Sequence, residues 1–243
     1  MTASLPMYDT PATRQANDRL WAAICKHLDH PHFPLDRTTD PHDTWNDPDL
    51  VLSQTCGLPY RTVLHGNVGL VGTPDYGIAG CPPGYYRSCV IARADDPRSE
   101  LTDFATATLA RNDIRSQSGW AAIWQLFTTL GGFDGTIIET GAHAASAAAV
   151  AQSRADIAAI DAVTWALLCR DCPDDVADLR VLLHTEPTPG LPLITSVQNG
   201  TDHLYSAVSD AIAALSSEDR ECLMLHGLVA IAASAYLAVP TPD

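Results

Sequence analysis

Several short segments of this sequence set hydroxyl, amide, imidazole or carboxylate groups beside small residues. Such an arrangement lets side chains and backbone N–H groups converge on one small anion. Ser116-Gln117-Ser118-Gly119 is the fullest of them. Two hydroxyls and a glycine admit several donors to one oxyanion, although a Ser-x-Ser-Gly run is also a plain helix N-cap. Thr140-Gly141-Ala142-His143 adds an imidazole, which could equally be a partly exposed loop histidine. Asp161 ends the apolar run IAAID, where a carboxylate can cap the following helix or meet a ligand amine. Tyr8, Gln54 and Thr55 form a second set near the front of the chain, with core packing as the simpler account of Tyr8. Arg115 is the only basic residue at any of these junctions, so neutral donors would carry most of an anion's recognition.

Other chemistries leave weaker traces. Cys56, beside Gly57, could act as a nucleophile with His143 as its base. Cys169-x-x-Cys172 is a lone pair of thiols with no second ligand set, so neither zinc nor redox chemistry is expected, and no cofactor is implied. His27, His30, His32 and His42 lie among prolines and read as a solvated connection, not a metal site. Tyr76, Tyr85 and Tyr86 flank a Gly/Pro turn and read as a packed corner.

The elements that must hold these groups alternate. Strands are expected at residues 2–7, 49–54, 68–73 and 88–93, then at 107–111, 136–140, 157–160 and 180–184. Helices are expected from Thr10-Pro11, with Leu20, Trp21, Ile24 and Leu28 on one face, and at 118–130, 144–153 and 163–169. This pattern is that of an α/β protein with parallel sheets. EPTPGLPL, from 186 to 193, is too proline-rich for either element and reads as a connector, and residues 201–239 read as helical, with one helix starting at Ser217. Composition shifts near 91–100 and 185–192 suggest an inserted lobe: residues 1–90 with 186–243 as one, 91–185 as the other, joined by two crossings. Reacting groups in such lobes lie where strands end and helices begin, and the candidate residues sit there in both.

Composition narrows the function. The chain has 243 residues, 46% of them apolar, and a net charge of −15 from 14 basic and 29 acidic side chains. It can fill a core, but it cannot neutralise a row of phosphates, and it suits neither nucleic acid nor an anionic membrane. No apolar run approaches the roughly 20 residues of a membrane span. MTASLPMYDT carries no basic region, apolar stretch or cleavage site, and the seven cysteines are an odd number. A cytoplasmic location is expected as the sequence stands, and a periplasmic one only if the true start lies upstream.

LSQTCGLPY, GCPPGYYRSCVIARADD, RSQSGWAAIW, ETGAHAASAAAVAQSRADIAAIDAVTWALL and PTPGLPLITS, in this order, resemble the phosphate/phosphonate-binding proteins of ABC importers, in a signal-less branch. The resemblance implies a two-lobed, type-2 periplasmic-binding-protein-like α/β fold with two crossings and a ligand cleft. It implies that Ser116, Gln117, Ser118 and Gly119 hold the oxyanion, with His143 beside them. Asp161 would meet a ligand amine, and Tyr8, Gln54 and Thr55 would come from the first lobe. A carboxylate facing a dianion is repulsive unless the ligand brings a cation or a donor. The partner expected is therefore a small anion such as an aminoalkyl phosphonate, with an ABC permease as the protein partner. The rival is a cytosolic enzyme on the same fold, resembling chorismate dehydratase or a thiamine-pathway pyrimidine synthase and using Cys56 and His143.

Overall fold

The structure is a computed structural model that describes residues 1–242. Its strands are β1 (Thr2–Ser4), β2 (Leu50–Gln54), β3 (Val68–Asp75), β4 (Tyr85–Tyr86), β5 (Ser88–Arg93) and β6 (Thr108–Arg111). They continue with β7 (Thr136–Glu139), β8 (Ile157–Asp161), β9 (Leu179–His184), β10 (Thr188–Pro189), β11 (Leu193–Ser196) and β12 (Gly227–Val229). The helices are α1 (Arg14–His27), α2 (Pro41–Trp45), α3 (Gly57–Pro59), α4 (Ala122–Thr129) and α5 (His143–Ala151). After these come α6 (Ala162–Asp171), α7 (Pro173–Val176), α8 (Thr201–Ala214), α9 (Ser217–Leu223) and α10 (Ala233–Leu237). Wide helical turns at Tyr60–Leu64 and Gln117–Ala121 lead out of α3 and into α4.

Two compact units are formed: residues 1–85 with 189–238, and residues 86–188 with those from Val239 onward. The chain passes between them next to β4 and β10, which pair with each other, and again after Ala238, where the sequence suggested two crossings and a tail wholly in the first unit. The first two passages stand at 85/86 and 188/189, where the composition shifts suggested 90/91 and 185/186.

The first unit carries a five-stranded sheet in the order β1-β2-β11-β3-β12. Only β1 and β2 run parallel, while β11 and β12 lie antiparallel to their neighbours. Its core joins Leu20, Trp21 and Ile24 of α1 to Val208, Ala211 and Ile212 of α8 beneath the sheet. The sequence expectations differ here in four places. Strand β1 stops at Ser4, ahead of Pro6, whose missing N–H cannot continue a ladder. Helix α1 starts at Arg14 and not at Thr10-Pro11, because the Thr13 hydroxyl donates to the Tyr8 carbonyl at 2.6 Å and folds residues 10–13 into a turn. The proline-rich connector includes β10 and the first residue of β11, a central strand. The C-terminal tail is not wholly helical, since β12 joins the sheet, although α9 does start at Ser217 as expected, capped by Ser216, which accepts from Asp219 N at 3.0 Å.

The second unit carries a sheet in the order β7-β6-β8-β5-β9. Strands β7, β6 and β8 are parallel, and β5 runs antiparallel to both β8 and β9. Val90, Leu109, Ile157 and Ala159 of the sheet bury one apolar face against Ile123 and Phe127 of α4. Burying one such side chain contributes about 1.5–3 kcal/mol, so this face fixes the register of β5, β6 and β8. Fully parallel sheets were expected, but both sheets are mixed.

Candidate functional site

In the second unit the parallel strands β6, β7 and β8 end at Arg111, Glu139 and Asp161. Their carboxyl ends share one edge of the sheet, so the segments after them meet there. Because β5 is antiparallel, with Ser88 opposite Asp161, its beginning lies at the same edge.

The Ser116–Gly119 turn is built at that edge. Ser116 caps it, its hydroxyl accepting from Gly119 N at 2.9 Å while its carbonyl accepts from Ala121 N at 3.0 Å. The five-residue closure widens the first turn. Ser116, Gln117 and Ser118 are all buried. Ser88 Oγ donates to the Ser118 carbonyl at 2.9 Å, which ties the turn to β5. Gly119 is required by close approach: a Cβ there would stand 1.8 Å from Asn112 Oδ1 and 3.0 Å from His143 Cε1.

His143 opens α5 after Gly141, whose φ of +84° belongs to the left-handed region that glycine adopts without strain. Thr140 holds the strand end, its hydroxyl bonded to Ser146 Oγ at 2.6 Å and to the Arg111 carbonyl at 3.1 Å. The His143 ring then reaches Ser118, with Nε2 2.9 Å from Oγ. Burial pushes its pKa down to about 4, opposed only by the backbone of Ala159. The imidazole is neutral at pH 7, and a single hydrogen bond joins Nε2 to the serine hydroxyl, its donor set by the tautomer.

Asp161 is buried, and its Oδ1 accepts from Val163 N at 2.8 Å and Thr164 N at 3.1 Å, which makes it the N-cap of α6. The cap offsets part of its charge, so Asp161 does not stand as the uncompensated carboxylate that the sequence suggested. Arg111 pairs with Glu139 and lies over the Trp120 ring at 4.5 Å, and Arg115 pairs with Asp113 at 3.1 Å.

In the first unit, Gln54 ends β2 and donates to the Tyr76 hydroxyl at 3.1 Å and the Leu191 carbonyl at 3.2 Å. Tyr76 stands edge-on to Tyr8, ring centroids 4.9 Å apart. Below them lies a cavity of about 30 Å³, walled by Leu52, Leu193 and Val208 with Tyr8, Gln54 and Tyr76. Thr55 is fully buried, and its N–H donates to the Pro192 carbonyl at 3.0 Å. The structure thus gathers Tyr8 and Gln54 around Tyr76 and gathers Ser116–Gly119 with His143. The sequence reads Tyr76 as corner packing, although its position directly after β3 is the signal for a site residue. Asn112, next to the end of β6, was missed as well. Its Oδ1 is buried with no hydrogen-bond partner beside Gly119, a proximity that no sequence spacing reveals.

Among the described residues no cluster of three His, Cys, Asp or Glu side chains could hold a metal, and no helix is long and apolar enough to cross a membrane. Cys169 and Cys172 are exposed free thiols.

A family model described as "ABC transporter, phosphonate, periplasmic substrate-binding protein" matches residues 54–236, well over half of the chain. The chain belongs to this phosphonate-binding family. No curated protein matches significantly. Among solved structures, PhnD1 from Prochlorococcus marinus in complex with methylphosphonate is similar, with a TM-score of 0.77 and 13% identity over 97% of this chain and 94% of that one. A binding protein component of an ABC phosphonate transporter from Pseudomonas aeruginosa gives a TM-score of 0.75 and 14% identity, over 97% and 82% of the two chains. The protein XAC2383 from Xanthomonas citri bound to ATP gives 0.71 and 14%, over 97% and 92%. At such identities the likeness carries the fold alone, and that fold is the two-lobed one of periplasmic binding proteins. The family is described as one of periplasmic substrate-binding proteins of ABC transporters, and the enzymatic alternative built on Cys56 and His143 gains no support from it.

Proposed function

We propose that this member of the phosphonate-binding family captures a small phosphonate for an ABC permease, holding the phosphonate oxygens at the Ser116–Gly119 turn. The observation that carries this reading is the buried turn itself, with its serine hydroxyl bonded to a neutral histidine. Donors already aimed and desolvated cost little to reorganise when the anion arrives. Hydroxyls and first-turn N–H groups also match a tetrahedral oxyanion better than a planar or neutral solute.

The finer reading is an aminoalkyl phosphonate, favoured by the negative charge of Asp161 at the same sheet edge. A ligand ammonium would meet that charge beside the two cap bonds the carboxylate already accepts. Native mass spectrometry of freshly purified protein, followed by thermal melting with added methylphosphonate, tests the broad reading. A small-anion adduct and a raised melting temperature are expected. Neither a bound anion nor any shift at millimolar methylphosphonate would remove it.

A further inference from the structure

We infer that Arg87 is a further ligand-binding residue, supplying the positive charge that pairs with the phosphonate oxygens held by Ser118. The inference rests on the phosphonate reading and adds a residue to it. Arg87 immediately precedes β5, whose first residue, Ser88, lies opposite Asp161, and so stands at the edge where β6, β7 and β8 end. Two bonds fix its backbone there. Its carbonyl accepts from Ala162 N at 3.0 Å, next to Asp161, and its neighbour Ser88 donates to the Ser118 carbonyl at 2.9 Å.

Its side chain stands apart from the other arginines. Carboxylates outnumber basic groups by 29 to 14 in this chain, and most of its arginines are paired with one. Arg14, Arg19, Arg37, Arg93, Arg98, Arg111, Arg115 and Arg170 all have carboxylate partners. Arg180 donates to backbone carbonyls, Arg154 donates to Gln152, Arg61 of the first unit is not without a partner, and Lys26 and Arg220 are exposed. Arg87 is half-buried, makes no ion pair among the described residues, and has a buried Nε without a hydrogen-bond partner. Its charge is felt by His184, across β5 and β9, whose pKa is lowered by burial and by Arg87. A half-buried guanidinium with no ion pair and an unpartnered Nε is poorly compensated in the free protein. An arriving dianion relieves this, and the planar fork suits two phosphonate oxygens at once.

The test compares wild type, Arg87→Gln and Arg87→Lys by calorimetric titration with methylphosphonate and inorganic phosphate at two salt concentrations, with melting temperatures of the free proteins. A charged hydrogen bond contributes about 1.5–3 kcal/mol, so Arg87→Gln should weaken binding roughly 10- to 150-fold and flatten its salt dependence. Arg87→Lys should recover part of the loss, and free Arg87→Gln should melt at or above the wild-type temperature. Wild-type affinity in Arg87→Gln, or a lower melting temperature with unchanged affinity, would overturn the assignment and leave the phosphonate reading standing. If wild type binds neither probe, both fall.

Discussion

The neutral His143 makes stability depend on pH in a definite direction. In the unfolded chain its imidazole has an ordinary pKa of 6.5, whereas in the folded chain burial lowers it to about 4. Between these values the unfolded state binds the extra proton, so stability rises with pH across that window and is lost as pH falls through it. One pKa unit corresponds to about 1.4 kcal/mol, so the full displacement is worth about 3 kcal/mol, and about 2 kcal/mol once water at the residue's partly exposed edge is allowed for. Urea denaturation of wild type and His143→Gln at pH 4, 5, 6.5 and 7.5 measures it. Asp9, Asp96, Asp156 and Asp219 are held below their usual range by hydrogen bonds and nearby arginines, so they too cost stability in acid. They do so equally in both proteins. Between pH 7.5 and 4, wild type should therefore lose about 2 kcal/mol more than the variant. Parallel curves would refute the half-buried, neutral imidazole.

Gly119→Ala should drive Asn112 and His143 from their positions, lowering stability by about 1–3 kcal/mol and methylphosphonate affinity by more than tenfold. Denaturation and calorimetry check it, and a wild-type profile in both would show that the turn has slack. Asp161→Asn keeps a capping oxygen, so the fold should hold within about 0.5 kcal/mol, while the preference for an aminoalkyl phosphonate over methylphosphonate should fall. An unchanged affinity ratio would leave Asp161 as a cap only.

The parallel core of the second unit was legible because helices separate β6, β7 and β8, and because IAAID is apolar throughout. The junction residues could be named for the same reason, since strand ends are local features. What escaped depends on pairing at a distance. LITS and GLV are too short to announce strands, and β11 and β12 exist because β2 and β3 offer them free edges. Thr10-Pro11 has the composition of a helix start, but a single bond from Thr13 to the Tyr8 carbonyl moves that start to Arg14. Arg87 escaped because attention to strand carboxyl ends overlooks an antiparallel strand, whose beginning lies at the same edge. The tie of Gln54 to Tyr76 and the crowding of Asn112 against Gly119 exist only in three dimensions.

Calorimetric titration of methylphosphonate into wild type and into a Ser116→Ala/Ser118→Ala double variant tests the central claim most directly. Wild type should bind one equivalent. The double variant should remain folded, since a lost cap costs only about 1 kcal/mol, and should bind about 2–4 kcal/mol more weakly. Equal affinity in the two proteins, or no binding by wild type, would contradict a phosphonate site at this turn.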